Sequence, residues 1–130
     1  MANDSQGWRS NDGKMRPTLI SPVVLWLLGK VLQFGARKYA AHNWVKGLSW
    51  EETADSFQRH YLRWMMGEEM DEESQLPHLA HMMCNVMFLL HMQATGSGRD
   101  DREFVKHPVV PSYMQFFTQA HPQKEEEKKP

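Results

Sequence analysis

A single cysteine, Cys84, stands in this chain of 130 residues. That excludes an intrachain disulfide framework and fits a reducing compartment, with Cys84 read as a buried, inert thiol in an apolar helix. No apolar run approaches the ~18 residues of a membrane span. The polar opening MANDSQGWRSNDGK lacks the apolar segment of a signal peptide. The expected location is therefore cytoplasmic, without membrane contact. The chain also has no G-x-x-x-x-G-K-[ST] loop, no G-x-S-x-G turn, no H-E-x-x-H pair, no EF-hand spacing and no His-Asp pair. P-loop, serine-hydrolase, zincin, calcium-loop and HD-type phosphohydrolase chemistries are disfavoured accordingly. Strong charge is missing too, with a net of −1 and only a short basic stretch, so nucleic-acid binding is not favoured.

What charge there is lies segregated. Residues 1–46 hold seven Lys/Arg against two Asp, and residues 47–91 hold two Arg against eight acids. Folding must bring the two regions together, either as plain surface ion pairs worth ~0–1 kcal/mol each or as a site. A ligand carrying phosphates and a divalent cation suits such a pairing, because Lys and Arg neutralise phosphate oxygens while carboxylates hold metal.

The pattern is helical throughout, and 41% hydrophobic content is enough for one modest core. We expect an all-α bundle of three main helices plus a short C-terminal helix or arm, assembled as a homo-oligomer. Residues 1–17 read as a flexible arm containing the basic turn Lys14, Arg16, Pro17, and 18–98 as the helical domain. Residues 99–121 read as a C-terminal arm or short helix with the cluster Tyr113, Met114, Phe116, Phe117, and 122–130 as a charged tail. Ser21 followed by Pro22 signals the first helix, with Val24, Leu27, Leu28, Val31 and Leu32 at helical spacing. Trp26 and Phe34 widen its apolar face enough for a dimer interface. Ser49 and Glu52 form a capping-box pattern for a second helix from about Trp50 to Gly67, and a third runs from Leu76 or Pro77 to about Met92.

The stretch from Arg59 to His91 organises the chemistry. His78, His81 and Asn85 fall at i, i+3 and i+7, on one face of the third helix. Burying such groups without partners costs ~1–3 kcal/mol each. His60, Trp64 and Glu68 form a stripe at i, i+4 and i+8, and the connector GEEMDEESQLP carries Glu68, Asp71 and Glu73. An acidic loop is ordinarily just solvated, and methionines such as Met82, Met83, Met87 and Met92 ordinarily fill core. Asp55 and Arg59 suit a helix ion pair, although Arg59 beside His60 also suits a phosphate. The loop KYAAHNWVKGLS offers Lys38, Tyr39, His42, Asn43 and Trp44, a mixture suited to a base plus phosphate. Alternatively, Tyr39 and Trp44 anchor the loop in the core.

The ordered series KMRPTLISP, FGARKYAAHNW, Arg59-His60, Trp64, GEEMDEES and LPHLAHMMCNVMFLL resembles the phage and prophage family of dATP/dGTP diphosphohydrolases, over roughly Lys14 to Met92. The resemblance implies an all-α protein that hydrolyses a purine deoxynucleoside triphosphate between the α and β phosphates, releasing monophosphate and pyrophosphate in the host cytoplasm. In outline it is also similar to MazG-type pyrophosphohydrolases, in which carboxylates on neighbouring helices hold magnesium. Glu51, Glu52 and Asp55 match the first acidic helix of that design. The second acidic pair is replaced by His78 and His81, and an expected Asp by Asn85.

On this reading a divalent metal, magnesium or manganese with zinc or iron as alternatives, is held by Glu68, Asp71, His78 and His81. His60, Glu68 and Asp71 are the expected catalytic residues, with His60 as ligand or base. Lys14, Arg16, Lys38 and Arg59 would neutralise the polyphosphate, while Tyr39, Asn43, Trp44 and Asn85 would meet the rest of the nucleotide. Two other readings stay open: a phage protein that binds, sequesters or degrades a nucleotide or cyclic-nucleotide signal without triphosphatase activity, and a purely structural helical dimer or adaptor.

Overall fold

The computed structural model describes residues 7–107 and 112–114. Among them are three long helices, α1 (Pro22–Lys38), α2 (Trp50–Met65) and α3 (His78–Thr95), and a short one, α4 (Glu103–Lys106). No strand forms among the described residues beyond the isolated bridges Ser49–Arg99 and Met70–Pro77, and the fold is all-α as expected. A single 3-10 turn covers Ser112–Met114. Phe116, Phe117 and the charged tail lie outside the described residues.

α1 and α2 start where side chains satisfy the free N–H groups of a first turn, whereas α3 and α4 start without a side-chain cap. Ser21 Oγ accepts from the Val24 N–H at 3.4 Å, ahead of Pro22 in the first helical position. Ser49 Oγ accepts from the Glu52 N–H at 3.1 Å. The start of α2 also has a distant partner, Asp101, which accepts from the Glu51 N–H at 3.0 Å and from the Ser49 hydroxyl. Residues 97–103 thereby strap the beginning of α2: Arg99 N–H donates to Leu48 O, Trp50 N–H to Arg99 O, and the Trp50 indole to Ser97 O. Gly47 and Gly98 cross where this strap passes, so closely that a Cβ on Gly47 would lie 2.8 Å from the Gly98 Cα. Gly67, with φ of 93°, turns the chain out of α2 as its sequence position suggests.

α3 packs along both α2 and α1, whereas α1 and α2 make little contact with each other. α1 and α2 therefore splay over α3 and leave a cleft between them. The packed core is small: Val31, Ala80 and Cys84, flanked by Leu27, Leu28, Leu32, Leu76 and Phe88. Met92 is fully buried, and its Sδ accepts from the Leu48 N–H at 3.4 Å, which suits the core role expected of the methionines. Cys84 is buried as expected, and burial pushes its thiol up to about 11. The wide apolar face of α1 is only half used, since Val23 and Trp26 remain 67% and 72% exposed. No helix among the described residues is long and apolar enough to cross a membrane.

Candidate functional site

The cleft over α3 has a volume of about 1120 Å³ and is walled by the second half of α1, the following loop, one face of α2, and the middle of α3. Such a volume is ample for a nucleotide. Its cations are Lys38, Arg59 and Arg63, and its acids are Glu52, Asp71 and Glu73. Arg59 and Arg63 enter no ion pair among the described residues, so the expected Asp55–Arg59 pair does not form. Lys38 instead meets Glu73 at 3.0 Å across the cleft mouth, one of the contacts by which the basic first third reaches the acidic middle.

At one end of the cleft, α2, the connector and α3 converge. The connector folds into a compact loop whose centre is Asp71. Asp71 N–H donates to Leu76 O at 2.8 Å, Gln75 N–H to Asp71 O at 2.8 Å, and Ser74 N–H to Asp71 Oδ2 at 2.8 Å. The Glu69 carbonyl then accepts from the N–H of His78 at 3.0 Å, fixing the first residue of α3. This acidic segment is more than a solvated connector, because its own backbone bonds hold Asp71 at 8% exposure.

His78 is completely buried. Its Nδ1 lies 2.8 Å from Nδ1 of His60, so one ring carries its proton there and the other offers a lone pair. On the far side of the ring, His78 Nε2 is 3.2 Å from Glu68 Oε1 but too poorly aligned to hydrogen-bond, which leaves this buried nitrogen unpartnered. His60 also stacks flat on His81, centroids 4.4 Å apart and planes within 4°. His81 Nε2 meets Ser74 Oγ at 2.6 Å and stands 3.8 Å from Asp71 Oδ2. His60, Asp71 and His78 each bring one donor atom to within 4.8 Å of the others, a cluster able to hold a metal ion.

Charge states favour that use. Burial, helped by His81 and His78 and opposed by Asp71, pushes His60 down to about 4. Burial likewise holds His81 below its usual value. For Asp71 burial works toward a higher value, but the hydrogen bonds from Ser74 and the neighbouring histidines outweigh it and the carboxyl lies below its usual range. At neutral pH His60 and His81 are thus neutral imidazoles beside the ionised carboxylate of Asp71, and for His60 and Asp71 these are the protonation states a metal requires of its ligands.

The expected residues divide by position. Lys38, Tyr39, Asn43, Trp44, Arg59, His60, Asp71, His81 and Asn85 all line the cleft. Lys14 and Arg16 are exposed and are not among its lining residues. Of the four residues expected as ligands, Asp71 and His78 belong to the cluster, while Glu68 sits behind His78 and the Nε2 of His81 is taken by Ser74. Trp44 stacks on Phe88 at 5.1 Å and meets His91 edge-on at 4.8 Å, so it anchors the loop, whereas Tyr39 is 67% exposed. Asn85 donates to Ser56 Oγ at 3.1 Å, joining α3 to α2 at the cleft floor. Sequence reasoning did not single out Ser56 or Arg63. The signal was available in the polar spacing Glu52, Ser56, Arg59 and Arg63, which keeps one helical face.

No solved structure matches this chain. The dATP/dGTP diphosphohydrolase of Salmonella phage PMBT28 is 32% identical over 98 residues, which cover 75% of this chain and 33% of that relative, so the chain spans about a third of its length. The family model described as dATP/dGTP diphosphohydrolase, N-terminal, matches residues 4–102, which include both cleft walls and the histidine cluster. By that match the chain belongs to the dATP/dGTP diphosphohydrolase N-terminal family.

Proposed function

We propose that the chain hydrolyses a purine deoxynucleoside triphosphate to the monophosphate and pyrophosphate, with a divalent metal bound at the end of the cleft. One observation carries this reading: His60 and Asp71, two of the three clustered donors, line the same cleft as Arg59, Arg63 and Lys38, with the buried His78 directly behind them. The name of the phage relative supports the substrate class. In this reading Arg59 and Arg63 grip the phosphate oxygens, and Lys38 exchanges Glu73 for them. The exposed ring of Tyr39 stacks on the base, and Asn85 and Ser56 offer hydrogen bonds at the floor.

The donor set fits a metal, since a fully buried imidazole faces a second imidazole at 2.8 Å with Asp71 beside them. His60, Asp71 and His78 would hold it, and Glu68 and His81 would stand next to them. When bound, such an ion polarises a phosphate oxygen and acidifies a water. In the overall step the water oxygen bonds to a phosphorus flanking the α–β bridge, the bridging P–O bond breaks, and the water proton is taken up by a basic group of the cleft. The apolar face around Val23 and Trp26 is assigned in this reading to a second copy of the chain.

A second reading is favoured by the direct Nδ1–Nδ1 hydrogen bond, which satisfies His60 and one side of His78 without any metal. The cleft would then hold a nucleotide, cyclic or linear, without cleaving it. Incubation with a panel of deoxynucleotides and cyclic nucleotides plus magnesium, manganese or zinc, followed by heat denaturation and chromatography, separates the two. Monophosphate and pyrophosphate support hydrolysis; quantitative return of intact ligand supports sequestration.

A further inference from the structure

We propose that the His60–Asp71–His78 cluster selects a borderline first-row transition ion of the zinc class over magnesium, and that Glu68 is the positioning carboxylate of this centre. The inference deepens the hydrolase reading by naming the ion and an outer partner, but it stands on the donor atoms alone.

Two of the three converging donors are imidazole nitrogens and only one is a carboxylate oxygen. Magnesium prefers six oxygens in near-octahedral array and gives up its water reluctantly, whereas imidazole suits zinc, iron or copper. His78 is sealed from solvent, so this donor is presented from inside the protein and not from a water-rich surface. Among the described residues, no hydrogen bond is made to Asp71 Oδ1, since Ser74 N–H donates to Oδ2. Three protein donors with His60 and Asp71 facing the cleft leave an open position toward the space where a ligand would lie.

Glu68 supplies the second observation. Histidines that hold a metal through one nitrogen commonly give the other N–H to a carboxylate, which fixes the tautomer and ring orientation. Here the nitrogen of His78 away from His60 is the unpartnered buried atom, and Glu68 Oε1 is 3.2 Å from it. A small shift of this half-exposed carboxylate completes the bond. The bond then puts the proton on Nε2 and frees the Nδ1 lone pair for the ion.

The test uses the full chain, stripped with chelator and free of nucleotide. Zinc, manganese and magnesium chlorides are titrated separately by calorimetry and thermal shift, and cobalt(II) by visible absorption. We expect one zinc per chain at the cluster, a raised Tm, at least 100-fold weaker magnesium binding, and cobalt bands of nitrogen–oxygen coordination. His60→Ala should abolish the zinc site. Glu68→Gln should keep the circular dichroism spectrum, weaken zinc about 10- to 100-fold and shift the cobalt bands, while the neighbouring change Glu69→Gln should do neither. Magnesium binding as tightly as zinc, zinc binding undiminished in His60→Ala, or Glu68→Gln indistinguishable from wild type would each overturn the proposal. Zinc binding without nucleotide turnover would leave this centre standing and remove the hydrolase reading. Turnover with magnesium alone, and no zinc site, would do the reverse.

Discussion

His60 and His78 meet ring nitrogen to ring nitrogen, Nδ1 to Nδ1 at 2.8 Å, one from the middle of α2 and the other from the first residue of α3. At that separation the two nitrogens share a proton, and a metal ion taking both would have to displace it. Low pH disturbs the pair, because a second proton brings a cation into a partly buried site already crowded by His81 and Arg63.

The first expectation follows from the depressed His60 value of about 4, against ~6.5 for a free imidazole. Between these limits the unfolded chain binds a proton that the folded chain refuses, so stability falls as pH drops from 6.5 toward 4 and is flat above. With solvent screening at this partly buried ring, the loss is about 1 kcal/mol. His81, lowered for the same reason, adds in the same direction. Urea midpoints across this window should fall with pH, and less steeply in His60→Gln. An equal slope in that variant would count against the assignment.

Arg59 and Arg63 line the cleft without ion pairs among the described residues. Replacing either by Gln should weaken triphosphate binding roughly 10- to 100-fold, the worth of a charge-assisted hydrogen bond, with Tm nearly unchanged. Calorimetry with a non-hydrolysable triphosphate checks this, and unchanged affinity in both variants would place the phosphates elsewhere.

Tyr39 and Trp44 should separate into a binding residue and a packing residue. Trp44→Ala removes the stack on Phe88 and the edge contact with His91, at a cost of about 2–4 kcal/mol. Tyr39→Ala exposes nothing new and should leave Tm alone while raising the nucleotide Kd several-fold. Thermal melts and binding isotherms on both variants read the two effects independently.

Gly98 has φ of 75°, and a Cβ there would stand 2.7 Å from the Leu48 carbonyl oxygen and closer still to Met92 Sδ. Gly98→Ala should therefore cost about 2–4 kcal/mol through backbone strain and lost strap contacts. A drop of roughly 10 °C or more in Tm is the expected reading for a domain of this size. An unaltered Tm would mean that the strap does not bear on α2.

Much of this architecture was legible because it is local. Ser21–Pro22, Ser49–Glu52 and the Gly67 turn announce their helices within four residues, and the i, i+3, i+7 set His78, His81, Asn85 announces a polar stripe on an apolar helix. The family resemblance rests on such local strings. What escaped depends on distance along the chain. Asp101 caps a helix that starts 51 residues earlier, His60 rather than Glu68 faces the inner nitrogen of His78, and the splay of α1 from α2 follows from which faces α3 covers. No periodicity encodes those relations. Lys14 and Arg16, joined to the site by charge pattern, lie outside the cleft lining, and their position is another relation that no local string encodes.

The most direct measurement is phosphorus NMR of dATP and dGTP incubated with the metal-loaded chain and, in parallel, with His60→Ala. Hydrolysis at the His60 cluster requires wild type to convert the triphosphate signals to those of monophosphate and pyrophosphate, and His60→Ala to leave them intact. Persistence of the triphosphate signals with wild type at every metal tried, or equal turnover by His60→Ala, would contradict it.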